Sequence, residues 1–157
     1  MARAQQKFGY VNSQSILENL PEAQEAQKKL NQLIQATQDT LQRMSQDLQG
    51  KADTYEKQKG MMTDVNKKAE EQKLLDQDQQ IKQYQQAKFA QGGEIALERE
   101  KIFAPIREKI IKVIQVVAKE EKMTFVLDKG SELGVLLYAD AQYDITFKVL
   151  DKLKRGK

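Results

Sequence analysis

The chain is 157 residues long, enough for one ordinary domain, with a net charge of +3 and a mean hydropathy of −0.71. Cys and His are both absent, which removes thiolate nucleophiles, thiolate and imidazole metal ligands, and the usual general base near neutral pH. Ser13, Ser15, Ser45 and Ser131 lack a nucleophile motif and no phosphate-binding Gly loop is present, so neither an enzyme nor a cofactor is expected.

The first element, Phe8-Gly9-Tyr10-Val11, has the aromatic and β-branched content of a strand. Asn12 or Ser13 can cap a short helix from Gln14 to Leu20. Pro21 can restart a helix at Glu22, because its missing N–H costs nothing in a first turn. Ala26, Leu30, Leu33, Thr37, Leu41, Met44, Leu48, Ala52 and Tyr55 then recur at spacings of 4, 3, 4, 4, 3, 4, 4 and 3. Such a narrow stripe implies one helical partner and a wet opposite face. Its mean period lies closer to about 3.67 than to 3.5, so a nearly straight or slightly right-handed pairing is expected.

Gly60-Met61-Met62-Thr63-Asp64 reads as the reversal, since Gly60 can end a helix and Thr63 or Asp64 can cap the next. Leu74-Leu75-Asp76 is a rival reversal without Gly or Pro. With the first choice, a limb from Glu22 to Lys59 faces a return from Val65 to about Ile102, each roughly 55–60 Å long. The return limb is weakly apolar, with Leu74, Ile81, Tyr84 and Ile95 in its stripe alongside Lys88 and Gln91. Gly50, Gly92 and Gly93 within the limbs are expected to act as bends, or else to be simply tolerated in exposed helix. Pro105 is expected to kink the chain where hairpin meets body.

Beyond Pro105, Ile106, Ile110, Ile111, Val113, Ile114, Val116 and Val117 form a helix whose apolar arc is too wide for one partner. Thr124-Phe125-Val126-Leu127 and Val135-Leu136-Leu137-Tyr138 read as strands joined by a turn near Lys129-Gly130. A last helix, capped around Asp144, carries Ile145, Val149, Leu150 and Leu153. A strand from the start of the chain must therefore meet strands from its end, while a polar helical insert leaves and returns. The expected fold is α+β: a small β-body, residues 7–21 and 103–157, with a long protruding antiparallel helical hairpin, residues 22–102, whose tip lies near 60–64.

From Glu22 to Gly60 six Lys/Arg balance six Asp/Glu, and from Asp64 to Phe103 seven bases face eight acids. The positive excess lies near Arg3 and Lys7 and toward Lys152-Leu153-Lys154-Arg155-Gly156-Lys157. That tail suits weak contact with anionic lipid, although a solvated helix end that favours cations is the plainer reading. A basic helix face or aromatic platform for specific nucleic-acid binding is not evident.

The residues resemble the Skp/OmpH family of periplasmic chaperones. The similarity lies in Phe8-Gly9-Tyr10-Val11-Asn12, Leu41-Gln42-Arg43-Met44, Asp47-Leu48-Gln49, Met62-Thr63-Asp64, Ala104-Pro105-Ile106 and Lys109-Ile110. It continues through Phe125-Val126-Leu127-Asp128, Leu137-Tyr138, Asp144-Ile145-Thr146 and Val149-Leu150. The resemblance implies a jellyfish-like homotrimer with helical tentacles around a cavity that holds unfolded outer-membrane β-barrel proteins without ATP. It also implies a periplasmic location, with the leader replaced by a start Met. The nearly neutral hairpin departs from the family's strongly basic tentacles, which puts charge-driven capture in doubt.

Tyr55, Met61, Met62, Leu74, Leu75, Tyr84 and Phe89 are the candidate client contacts, though most could equally pack the hairpin. Phe8, Tyr10, Ile110, Phe125, Leu127 and Leu136 are the candidate trimer core. A coiled-coil structural or tethering protein without client binding is the alternative. A prefoldin-like arrangement is disfavoured, since it would place the strands in mid-chain and both termini in helices.

Overall fold

The computed structural model describes residues 6–130 and 136–156. Along the chain run β1 (Phe8–Val11), α1 (Ser13–Asn19), α2 (Pro21–Gln58), a 3-10 turn at Lys59–Met61, and α3 (Asp64–Phe89). They are followed by α4 (Glu94–Glu120), β2 (Phe125–Asp128), a 3-10 turn at Ala141–Tyr143 and α5 (Thr146–Arg155). Two compact units result, one of residues up to 28 with those from 101 onward, the other of residues 29–100.

In the first unit the two ends of the chain do meet. β1 and β2 pair in parallel, with Phe8 opposite Phe125, Gly9 opposite Val126, Tyr10 opposite Leu127 and Val11 opposite Asp128. Parallel neighbours require a crossover connection, and here all the intervening helices supply it. Thr124 N donates to Lys7 O and Lys129 N to Val11 O, both at 2.7 Å, which continues the ladder past each end.

The third expected strand does not form among the described residues. Val135 and the Ser131 position lie outside them, as do Arg3 and Lys157, while Leu136–Tyr138 have no regular structure. Leu137 is 91% and Tyr138 83% exposed. The place beside β1 is taken instead by the last helix's approach: Tyr10 bridges to Asp144, and Ile145 N donates to Tyr10 O at 2.9 Å.

The core of this unit joins Val11, Ile16, Leu20, Ala23 and Ala26 to Ile106, Ile110 and Val117 of α4, and to Ile145, Val149 and Leu153 at the end of the chain. Each fully buried branched side chain contributes about 1.5–3 kcal/mol relative to exposure. Asn12 caps α1 by accepting from Ser15 N at 2.9 Å, and Asp144 Oδ1 accepts from Thr146 N at 2.8 Å where α5 begins. Pro105 stands inside α4 without ending it. The packing of Ile102, Phe103, Ile106 and Ile110 holds the helix together around the missing N–H.

The second unit is a helical hairpin. All nine stripe positions from Ala26 to Tyr55 are buried or half-buried on the sheltered face of α2, with the residues between them largely exposed. At the reversal, Thr63 accepts from Asn66 N at 3.3 Å and so caps α3. Leu74, Leu75 and Asp76 lie in the interior of α3, so the rival reversal is not formed. The return limb is not one helix, as the sequence pattern suggested. It is interrupted at Ala90–Gly93, where Gly92 adopts a left-handed φ of +80° and a Cβ on Gly93 would meet the carbonyl oxygens of Ala87 and Ala90 at 2.9 Å.

Candidate functional site

Polar contacts join the limbs of the hairpin between residues 47–55 of α2 and 71–77 of α3. The sheltered face of α3 runs through Lys67, Glu70, Leu74, Gln77, Asp78, Ile81, Tyr84 and Lys88, of which only Ile81 is buried. Gln77 Nε2 donates to Asp47 Oδ2 at 2.6 Å, and Lys51 Nζ donates to the same Asp47 oxygen at 2.7 Å and to Gln77 Oε1 at 3.1 Å. These donors hold the Asp47 carboxyl below its ordinary range, the Lys51 hydrogen bond being the largest cause and that from Gln77 the next. Nearer the reversal, Tyr55 OH donates to Glu71 Oε1 at 2.5 Å. That bond, with some desolvation, pushes the Tyr55 hydroxyl up to about 12.

Because the sheltered face is narrow, several apolar side chains remain outside it. Met61 is 85% and Leu75 61% exposed, and Phe89 is also exposed. Met62, Leu74, Tyr55 and Tyr84 are half-buried, the last three on the faces where the limbs meet. The candidate contacts thus fall into an outward set and a limb-packing set. Val65 and Leu97 are exposed too and escaped sequence reasoning. Gly50 sits in unbroken α2 with open space where a Cβ would be.

In the first unit, Phe8 and Phe125 stack across β1 and β2, with ring centroids 5.5 Å apart and planes at 15°, yet both rings are about half exposed. Leu127 is exposed beside them and Leu136 is half-buried, whereas Tyr10 and Ile110 are already buried within the chain. Burial raises the Tyr10 hydroxyl, helped by Asp144, and Lys129 lies 5.5 Å from its ring centroid. The broad arc of α4 is half satisfied: Ile106, Ile110 and Val117 are buried, while Ile111 and Val116 are exposed. Val11, Leu17, Ile110, Ile111, Ile114, Val126 and Leu127 line an open apolar groove next to β2.

The C-terminal cations are largely engaged. Lys148 pairs with Glu121, Lys152 with Glu120, and Arg155 Nε with Asp151 Oδ1 at 3.0 Å. Lys148 above all, then Lys7, holds the Glu121 carboxyl below its ordinary range. Among the described residues, no helix is long and apolar enough to cross a membrane, and no group of His, Cys, Asp or Glu is arranged to hold a metal ion.

One unit thus holds a parallel strand pair from the two ends of the chain, and the other is a long helical hairpin. The chain belongs to the OmpH-like outer membrane protein family, whose model matches residues 7–153. Its fold is similar to the crystal structure of an OmpH-like protein from Caulobacter crescentus, described as a candidate outer membrane chaperone. The TM-score is 0.81 at 16% identity, over 99% of this chain and 88% of that one. No sequence among curated proteins matches it significantly.

Proposed function

We propose that this protein is an ATP-independent holdase, working as a periplasmic homotrimer that keeps unfolded outer-membrane β-barrel proteins from aggregating. One observation carries the reading: the narrow apolar stripe and the few polar contacts between the limbs leave apolar side chains such as Met61, Val65 and Leu75 exposed along the hairpin. A hairpin meant only as a spacer gains nothing from these exposed groups. Non-directional apolar contact needs no motif, so such a surface suits many unfolded chains. Met adds an adaptable contact, and weak contacts let a client pass on to a better sink such as a membrane. Self-association is supported by the exposed Phe8–Phe125 pair and the open groove beside β2.

The test is light scattering from a denaturant-unfolded outer-membrane β-barrel protein diluted into buffer with or without this protein. Full-length protein should suppress aggregation, and deletion of residues 50–73 should abolish the effect while leaving the trimer intact. Equal protection by the truncated form would overturn the role of the hairpin. No protection by either form would favour a structural or tethering protein.

A further inference from the structure

The interruption of the return limb at Ala90–Gly93 has the parts of a joint. The peptide path there depends on glycine twice, through the left-handed φ of Gly92 and the lack of room for a Cβ on Gly93. Ala90 N still donates to Gln86 O at 3.1 Å and Gly93 N to Ala90 O at 2.8 Å, so the chain is tightly turned. Across the gap, Lys88 at the end of α3 pairs with Glu94 at the start of α4. The ammonium of Lys88 also lies 5.5 Å from the centroid of the Tyr84 ring.

The other limb carries hydroxyl back-bonds at several heights, from Thr37 and Thr40 through Ser45 to Thr54. The contacts of Asp47 and Lys51 with Gln77, and of Tyr55 with Glu71, fix the register of the limbs. With equal rise in both helices, that register carries Thr37 to a level with roughly residues 87 to 91. Thr37 Oγ1 donates to Leu33 O at 2.7 Å and Thr40 Oγ1 to Ala36 O at 2.8 Å. Such back-bonding to the carbonyl four residues earlier weakens and bends helices.

We propose that Ala90–Gly93 is a hinge within the hairpin, latched by the Lys88–Glu94 ion pair. With the latch closed, α3 is held at one angle to the first turns of α4, and with it open the distal hairpin swings. The pair is partly exposed, so dissolved salt competes for it. The proposal is independent of what the hairpin binds.

Pulsed electron–electron resonance between spin labels at the exposed positions Gln80 and Ala96 tests it, in full-length protein diluted with unlabelled chain. The wild-type distance distribution should be narrow at low salt and broaden about twofold near 0.5 M NaCl. Glu94→Gln should be equally broad at both salt levels. Gly92→Ala with Gly93→Ala denies the chain its present path, so the mean distance should shift and its salt dependence should vanish. A Glu94→Gln distribution as narrow as wild type, with no salt effect in either, would overturn the latch. An unchanged distance in the double alanine variant would overturn the glycine hinge.

Discussion

Ser13 Oγ donates to Asp128 Oδ2 at 2.5 Å, tying the first turn of α1 to the last residue of β2. The other oxygen of Asp128 accepts from Ser13 N at 3.0 Å and from Gly130 N at 2.8 Å. One carboxylate therefore satisfies donors from a helix start and from the turn after β2, 115 residues from its Ser13 partner.

Replacing Asp128 with Ala should lower the stability of this unit by about 1–3 kcal/mol, because part-buried donors lose their acceptor. Gly130→Ala should destabilise through the same corner, since a Cβ there would meet Gln14 N at 2.8 Å and Ser13 N at 2.9 Å. Urea unfolding followed by helicity measures both, and an unchanged midpoint for Asp128→Ala would show the corner to be dispensable.

Tyr55 and Glu71 set an alkaline limit for the hairpin. The folded hydroxyl ionises at about 12 against an ordinary 10.0, so the contribution of this pair is fully present below pH 10. It is lost as the pH rises from 10 toward 12. Glu71→Gln removes the charged acceptor and should bring ionisation back toward about 10. Difference absorbance of the tyrosinate band, with Tyr55→Phe as reference, reports this directly. At the acid end the sign reverses. Asp47 is depressed by Lys51 and Gln77, so its contribution is present above its ordinary 3.8 and disappears as the pH falls through its lower folded value.

The outgoing limb was legible from the sequence because its apolar and small residues keep one period from Ala26 to Tyr55, and that period alone fixes the sheltered face. Its partner face was legible only in part: Leu74, Ile81, Tyr84, Lys88 and Ile95 of the expected stripe are sheltered, whereas Gln91 is exposed. Lys67, Glu70, Gln77 and Asp78 occupy the other sheltered positions of α3, and charged or amide side chains on a contact face leave no hydrophobic signature. Leu74 and Leu75 show the same limit at single-residue scale: adjacent and both apolar, they are half-buried and exposed respectively. The strand proposed at Val135–Tyr138 does not form over its described part, Leu136–Tyr138. Propensity describes what a segment could pair as, not which strand it meets; Asp144–Ile145 take the place beside Tyr10, while Leu137 and Tyr138 stay exposed.

Assembly should depend on the exposed strand face. Phe8→Asp with Phe125→Asp puts two charges where the stacked rings now lie half exposed, so the fold can persist while association is lost. Sedimentation at micromolar concentration should show a trimer for wild type and a monomer for the double variant, with helicity retained. A wild-type monomer would refute self-association through this face.

Salt should affect client capture only mildly. Lys/Arg and Asp/Glu nearly cancel along both limbs, and much of that charge is paired within the hairpin, as in Lys51–Asp47, Lys59–Glu56, Lys67–Asp64, Lys73–Glu70 and Lys82–Asp78. Pairs three or four residues apart contribute little and present little net field to a client. The contact surface left over is apolar and faces outward at Met61, Val65 and Leu75. Protection of an unfolded β-barrel protein should therefore fall less than about tenfold between low and moderate salt. Changing Met61, Val65 and Leu75 together to Ser should reduce it far more, while leaving helicity intact, since all three are exposed. A steep loss with salt and indifference to the triple change would instead assign capture to charge, with Lys57 and Lys68 beside the reversal as the first residues to neutralise.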